Sequence, residues 1–223
     1  MTSQRTALIA GATGLVGGEC LRRLLAHPAW TTVVVLTRRD IGVEWASPKL
    51  RQVLTDFAAL ENHRDQLVAD DVFCALGTTM RKAGSRAAFR EVDLEYPLRL
   101  AQLARGNGAQ HFSLVSAVGA DRRSAFHYSR VKGELEEALI AMDWPSLAIF
   151  RPSVIEGKRS EVRPLERLSG SLLRLAPVAW RPVAAADIAS AMVSVALESP
   201  LGITIVESRS IPERARGASS ATP

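Results

Sequence analysis

Ala7-Leu8-Ile9-Ala10-Gly11-Ala12-Thr13-Gly14-Leu15-Val16-Gly17 decides the fold. Residues 7–10 form a short apolar run of the kind that fills a buried strand, and three glycines follow at Gly-x-x-Gly-x-x-Gly spacing where an amphipathic helical pattern begins. Each glycine has its own reason. The first permits a tight turn, the second lets a pyrophosphate approach the backbone, and the third lets the helix pack closely on the strand. A phosphate there would face the helix N-terminus and its unpaired N–H groups. A glycine-rich turn can have this spacing without a ligand, but the strand before it and the helix after it are the context a dinucleotide requires. Gly11, Thr13, Gly14, Leu15, Val16 and Gly17 are therefore candidate cofactor-binding residues.

Outward from this unit, short apolar runs alternate with helical patterns, the order of an α/β chain. The expected fold is a Rossmann-type, doubly wound parallel sheet with helices on both faces. Strands are expected near Ala7–Ala10, Thr32–Thr37, Gln52–Asp56, Val72–Leu76, His111–Ser116, Leu147–Phe150 and Ile203–Val206. Helices are expected near Gly14–Ala26, Phe57–Val68, Ala87–Gly106, Ser129–Asp143 and Ala185–Glu198. Within the fourth, Val131, Leu135, Ala138, Leu139 and Met142 recur at helical spacing as a core stripe. Between residues 153 and 183 the pattern weakens and prolines punctuate short apolar pieces, which suits a small C-terminal substrate lobe. Residues 1–207 read as a single nucleotide-binding domain. Residues 208–223, with few apolar side chains to offset the entropy of ordering, read as a disordered tail.

Composition agrees with one core and narrows the partners. The chain has 223 residues, 47% of them hydrophobic, enough for one sizeable domain. Its two cysteines, Cys20 and Cys74, fall in a predicted helix and a predicted buried strand, where a thiol acts as a small apolar residue. A reducing compartment is expected. There is no long apolar leader and no run near the ~18 residues of a membrane span, so the expectation is a soluble, cytoplasmic protein with no membrane partner. The formal net charge of +5 is carried by scattered basic pairs, without a stripe or zinc-finger spacing, so no nucleic-acid partner is expected. Apolar residues on more than one face of the segment Phe89–Leu103 make a homodimer the expected assembly.

The remaining chemistry gathers where strands end. The second strand ends at Thr37-Arg38-Arg39, where an NAD-binding chain would place an acidic residue against the ribose 2′-hydroxyl. Guanidinium groups pair instead with a 2′-phosphate, so Arg38 and Arg39 favour NADP(H) over a merely solvated strand end. Asp56 could accept from the adenine amine, and Gly77-Thr78-Thr79 could approach adenosine and ribose; helix capping is the alternative use of both. Tyr128 and Lys132 lie one helical turn apart, on one face. A phenol is a weak acid at neutral pH, and a nearby ammonium favours its ionised form. Ser116, at the end of the fifth strand, can hold a substrate oxygen beside the Tyr128 hydroxyl. Cys20 and Cys74 lack the exposed, electropositive surroundings of a nucleophilic thiolate, which removes a semialdehyde dehydrogenase reading.

Gly11-Ala-Thr-Gly-Leu-Val-Gly17, Ser116, Tyr128-Ser-Arg-Val-Lys132, Arg151-Pro-Ser-Val154 and Ala186-Asp-Ile-Ala189 resemble the atypical or extended short-chain dehydrogenases/reductases over residues 6–206. Phe73-Cys-Ala-Leu-Gly-Thr-Thr79, Lys82-Ala-Gly84, Val92-Asp93 and Ser116-Ala-Val-Gly-Ala-Asp121 resemble, more narrowly, the Tat-interactive oxidoreductase-like proteins. The resemblance implies Tyr128 as proton donor or acceptor, Lys132 as its activator and ribose ligand, Ser116 as donor to the substrate oxygen, and Pro152, Ser153 and Val154 near the nicotinamide. It also implies an oxidoreductase acting on a small carbonyl or hydroxyl substrate. A cofactor-binding regulatory module and an epimerase-like enzyme are the alternatives. Two departures stand out: Asp93 occupies a position where many relatives have Asn, which leaves it organising water near Lys132, and the substrate lobe is short.

Overall fold

The computed structural model describes residues 4–157 and 181–217. Seven strands form one sheet, all neighbours parallel. They are β1 (Arg5–Ala10), β2 (Trp30–Thr37), β3 (Leu50–Leu54), β4 (Asp71–Cys74), β5 (His111–Val115), β6 (Ser146–Arg151) and, after a short β7–β8 pair (Ile155–Glu156 with Val183–Ala184), β9 (Gly202–Glu207). Their order is β3-β2-β1-β4-β5-β6-β9, so the chain winds outward from β1 in one direction and then in the other. The reversal falls between β1 and β4, where Ala10 pairs with Cys74 and the glycine-rich turn follows β1. Ligands of open α/β sheets bind at such a switch point.

Residues 7–10 are wholly buried because the sheet is covered on both faces. Ala7 and Ile9 point to one side and Leu8 and Ala10 to the other, as strand pleating requires. On the first side lie α1 (Leu15–Ala26) and α6 (Ala185–Glu198); on the second lie α4 (Tyr96–Gly106) and α5 (His127–Ile140). In α1, Val16, Cys20, Leu21 and Leu24 form the buried stripe, and α6 packs across it with small residues such as Ala185, Ala189 and Ala196.

Three expected elements take other forms. Phe57–Gln66 is a kinked 3₁₀ segment in place of an α-helix: only Phe57 and Leu60 are buried, a spacing of three that suits 3₁₀ winding. The expected helix 87–106 is preceded by α2 (Met80–Ala83) and divides into α3 (Arg86–Arg90), a π-helical turn (Glu91–Glu95) and α4. Pro97 has no N–H to give to the Asp93 carbonyl, and its ring would crowd that carbonyl in a regular helix. The ladder instead widens, with the Tyr96 N–H bonded to the Glu91 carbonyl. The expected disordered tail is ordered through Ser208–Ser210 and α7 (Ile211–Gly217), because Ile211 and Ala215, one helical turn apart, bury against α6. Residues 218–223, and 158–180 of the expected substrate lobe, lie outside the described residues. Among the described residues, no helix is long and apolar enough to cross a membrane.

The apolar residues that suggested a dimer are largely used within the chain. Phe89, Leu94, Leu100 and Leu103 belong to its own core, with Tyr96 and Leu98 packed against it.

Candidate functional site

The glycine-rich turn is built from backbone. Gly11 has φ +89°, and a Cβ there would sit 2.4 Å from the Ala75 carbonyl oxygen, while a Cβ on Gly17 would sit 2.0 Å from the Gly11 oxygen. Any side chain at either position would push β1, β4 and α1 apart. Gly14 caps α1 without a side-chain bond, no acidic residue occupies the first turn, and Thr13 is exposed beside it. Val16 is buried and Leu15 half-buried, so their backbone N–H groups, with that of Gly17, are what the turn offers an anion. A cleft of about 650 Å³ lies against Thr13, Gly14 and Leu15 and is closed by Ile41, Trp45 and Gly157. The Arg22 guanidinium lies 5.3 Å from the Trp45 ring centroid. Tyr128 and Lys132 do not line this cleft. It lies against the glycine-rich turn, and Glu19, Glu44 and Glu156 also line it.

Arg38 and Arg39 follow β2 in solvent, and neither forms an ion pair among the described residues. The Thr37 hydroxyl folds the chain there, donating to the Arg39 carbonyl at 2.6 Å and accepting from its N–H at 3.3 Å. Asp56 and Thr79 act as helix caps: Asp56 accepts from Ala58 N–H at 3.1 Å, and Thr79 from Lys82 N–H at 3.2 Å. Gly77 is exposed at the end of the same loop.

At the other end, α5 sets Tyr128 and Lys132 one turn apart. Tyr128 is 40% exposed, its ring 5.6 Å from that of Phe89 on α3. Lys132 is buried, with its Nζ 2.8 Å from Asp93 Oδ1. The other Asp93 oxygen accepts from Thr78 N–H at 2.9 Å. Asp93 thus bridges Lys132 and the 77–79 loop directly, where the sequence suggested a water. Burial alone would depress the Lys132 pKa, but the Asp93 carboxylate, supported by Tyr128 and Cys74, holds it above the ordinary lysine value. The two thiols are fully buried, which pushes Cys20 up to about 12 and Cys74 up to about 11 and leaves both inert.

Ser116, just past β5, is buried. Its hydroxyl donates to Glu136, itself buried and clamped by the Arg151 guanidinium, which also reaches Glu207 at 2.9 Å. Glu136 lies two turns, about 12 Å along the axis, from Tyr128 on α5. The Ser116 hydroxyl belongs to a network that ties the ends of β5, β6 and β9 to the helix. Nothing in the apolar stripe of α5 signalled this; the clue was Glu136 itself, a carboxylate next to Leu135 on a face that otherwise packs inward. Beyond β6, Pro152 is buried and its carbonyl accepts from Val118 N–H at 2.9 Å. Ser153 N–H donates to Ser208 Oγ at 3.1 Å, and Val154 is exposed. The 152–154 turn thus stands beside the loop that follows β5.

The family model of the NAD dependent epimerase/dehydratase family matches residues 7–133. Protein HTATIP2 of Rattus norvegicus is 36% identical over 178 residues, 79% of this chain and 73% of that protein. A mitochondrial protein of Emericella nidulans, fmp52, is 34% identical over 166 residues, 72% of this chain and 71% of that one. MoeE5, solved in complex with UDP-glucose and NAD, superposes with a TM-score of 0.72 over 96% of this chain and 82% of its own, at 17% identity, a likeness of fold.

Proposed function

The chain belongs to the NAD-dependent epimerase/dehydratase family, in the extended short-chain dehydrogenase/reductase group that includes the Tat-interactive proteins, and on that premise we propose an NADP(H)-dependent oxidoreductase. It transfers hydride between the nicotinamide and a small carbonyl or hydroxyl substrate, with Tyr128 exchanging the proton. One observation carries the reading: a buried Lys132 stands one turn behind a solvent-reachable Tyr128, on the sheet edge that also carries the glycine-rich turn. The residues fit a dinucleotide. The uncapped N-terminus of α1 and the bare backbone at Gly11 and Gly17 suit a pyrophosphate, and the unpaired Arg38 and Arg39 suit a 2′-phosphate. When bound, the nicotinamide supplies or accepts the hydride. Lys132 would orient the ribose, Tyr128 would move the proton, and Pro152, Ser153 and Val154 would lie near the nicotinamide.

Turnover with NADPH across a carbonyl panel is the test. Tyr128→Phe keeps the ring packing against Phe89 and removes the proton, so turnover should fall by about 10²-fold or more with little change in cofactor affinity. Full turnover in that variant would overturn the assignment.

A second reading, a cofactor-binding regulatory module, draws on the Ser116 hydroxyl, which is bonded to Glu136 within a buried ion-pair network. Under it, Tyr128→Phe leaves partner binding intact. We keep the cytoplasm as the compartment, on the two unpaired thiols, with fractionation of cells as its check. A homodimer through the π-helical turn and α4 rests on the half-buried Val92, Tyr96 and Leu98; sedimentation at the 24.1 kDa monomer mass would overturn it.

A further inference from the structure

Building on the reading that Tyr128 exchanges the proton, we propose that Asp93 cancels the charge of Lys132 at the Tyr128 hydroxyl and thereby poises the site to donate a proton, as a carbonyl reductase. The ion pair is 2.8 Å long, between side chains 4% and 1% exposed, where water screens little. An ammonium alone favours the phenolate of a neighbouring tyrosine. An ammonium with a carboxylate on the same nitrogen presents a dipole, whose field weakens faster with distance.

Asp93 is held in that role. Its second oxygen takes the Thr78 N–H, and the Gly77 Cα leaves room so tight that a Cβ would come within 3.3 Å of Oδ1. The π-helical turn at Glu91–Glu95 buries the carboxylate while its neighbours Glu91 and Glu95 stay exposed.

The other charges near Tyr128 are balanced or wet. From α3, Arg90 is paired with Glu95 and Glu134, and Arg86 is exposed. On α5 itself, Glu136 is taken by Arg151, Glu137 by Arg122 of the loop after β5, and His127 packs its ring against Phe89. Exposed Arg123 of that loop is screened by solvent, and from β4 the Cys74 thiol is uncharged at neutral pH. The Lys132–Asp93 pair, with both side chains buried, therefore stands one helical turn from Tyr128 with little solvent to screen it. In the forward step, Tyr128 gives its O–H proton to the carbonyl oxygen as the carbonyl carbon accepts hydride from the reduced nicotinamide. The carbonyl π pair becomes the new O–H bond, and solvent returns a proton to the tyrosinate.

The chain has two tyrosines, so Tyr96→Phe leaves Tyr128 as the sole reporter of tyrosinate absorbance. In that background Asp93→Asn should ionise Tyr128 at a pH lower by about one unit or more, a tenfold gain in tyrosinate at fixed pH. Asp93→Glu should titrate like the parent. Lys132→Met, which leaves the Asp93 charge unbalanced, should ionise later, and the Asp93→Asn/Lys132→Met pair should return to the parent midpoint. An unchanged or higher midpoint in Asp93→Asn overturns the proposal where NMR shows the Lys132 ammonium retained. If circular dichroism shows that variant unfolded, or buried Lys132 has lost its proton without its partner, a Lys132→Met midpoint equal to the parent's overturns the proposal instead. The titration needs neither cofactor nor substrate, so a failed search for turnover bears on the oxidoreductase reading and leaves this result independent. In an active protein, Asp93→Asn should also shift the ratio of rates at neutral pH toward alcohol oxidation.

Discussion

Two residue positions show how far local chemistry reaches. A Cβ at Gly17 would lie 2.0 Å from the Gly11 carbonyl oxygen, closer than any relaxation of one helix turn absorbs. Gly17→Ala should therefore lower the thermal midpoint and weaken NADP(H) binding together, whereas Gly18→Ala, whose Cβ would meet the Ala12 oxygen at 3.3 Å, should be far milder. Differential scanning calorimetry with and without NADP(H) compares them. At the end of β2, Arg38→Ala and Arg39→Ala should each erode a preference for NADP(H) over NAD(H), by about 1.5–3 kcal/mol if a charge-assisted bond is lost. Equal affinities of the unmodified protein for the two cofactors, measured by titration calorimetry, would remove the basis of that expectation. These positions were legible because a turn of fixed geometry follows a strand of fixed pattern. The bond of Ser116 to Glu136 was not, because a hydroxyl takes whichever partner the fold brings, and here that partner is on another element.

Among the elements, the strands and the long helices α1, α5 and α6 follow their hydrophobic periods closely. Where expectation and structure part, a specific residue is responsible. Pro97 divides the segment 86–106, and the resulting π-helical turn carries Asp93 to Lys132. The C-terminal segment orders because two apolar residues one turn apart suffice when α6 already presents a surface; sequence counting weighs their number and misses the platform. Ile211 is wholly buried there, with Ser190 donating to the Ala215 carbonyl at 3.2 Å and Arg214 paired with Glu198. Ile211→Ala should cost about 2–5 kcal/mol by urea denaturation, as truncation of a buried aliphatic side chain does. Arg214→Ala, an exposed pair, should cost less than about 1 kcal/mol. If Ile211→Ala is neutral, the packing of α7 on α6 contributes nothing to stability.

Across the whole molecule, the two edges of the sheet do different work. The carboxyl edge carries the candidate site; the amino edge holds a buried polar cluster in which His111 bonds Ser113 and Ser146, both at 2.8 Å, and Trp30 donates to Asp71 at 2.7 Å. Burial pushes the His111 pKa down to about 3, with Arg5 adding to the effect. The unfolded chain takes up this proton near pH 6.5 and the folded chain does not, so His111 stability is fully present above about 6.5 and is lost as pH falls toward 3. The slope should approach about 1.4 kcal/mol per pH unit from this group, and urea midpoints between pH 6.5 and 5, where most carboxylates stay ionised, should flatten in His111→Gln. The amino-acid sequence by itself determined the parallel α/β sheet, the glycine-rich turn and the Tyr128–Lys132 pair, because each depends on residues within a few positions of one another and on periods that the backbone imposes. Only the tertiary structure decided that Asp93 pairs with Lys132 across 39 positions, that Glu136 claims Ser116, and that the C-terminal segment folds. Those outcomes rest on contacts between distant segments, whose partners are selected by packing and desolvation once the sheet has brought their elements together.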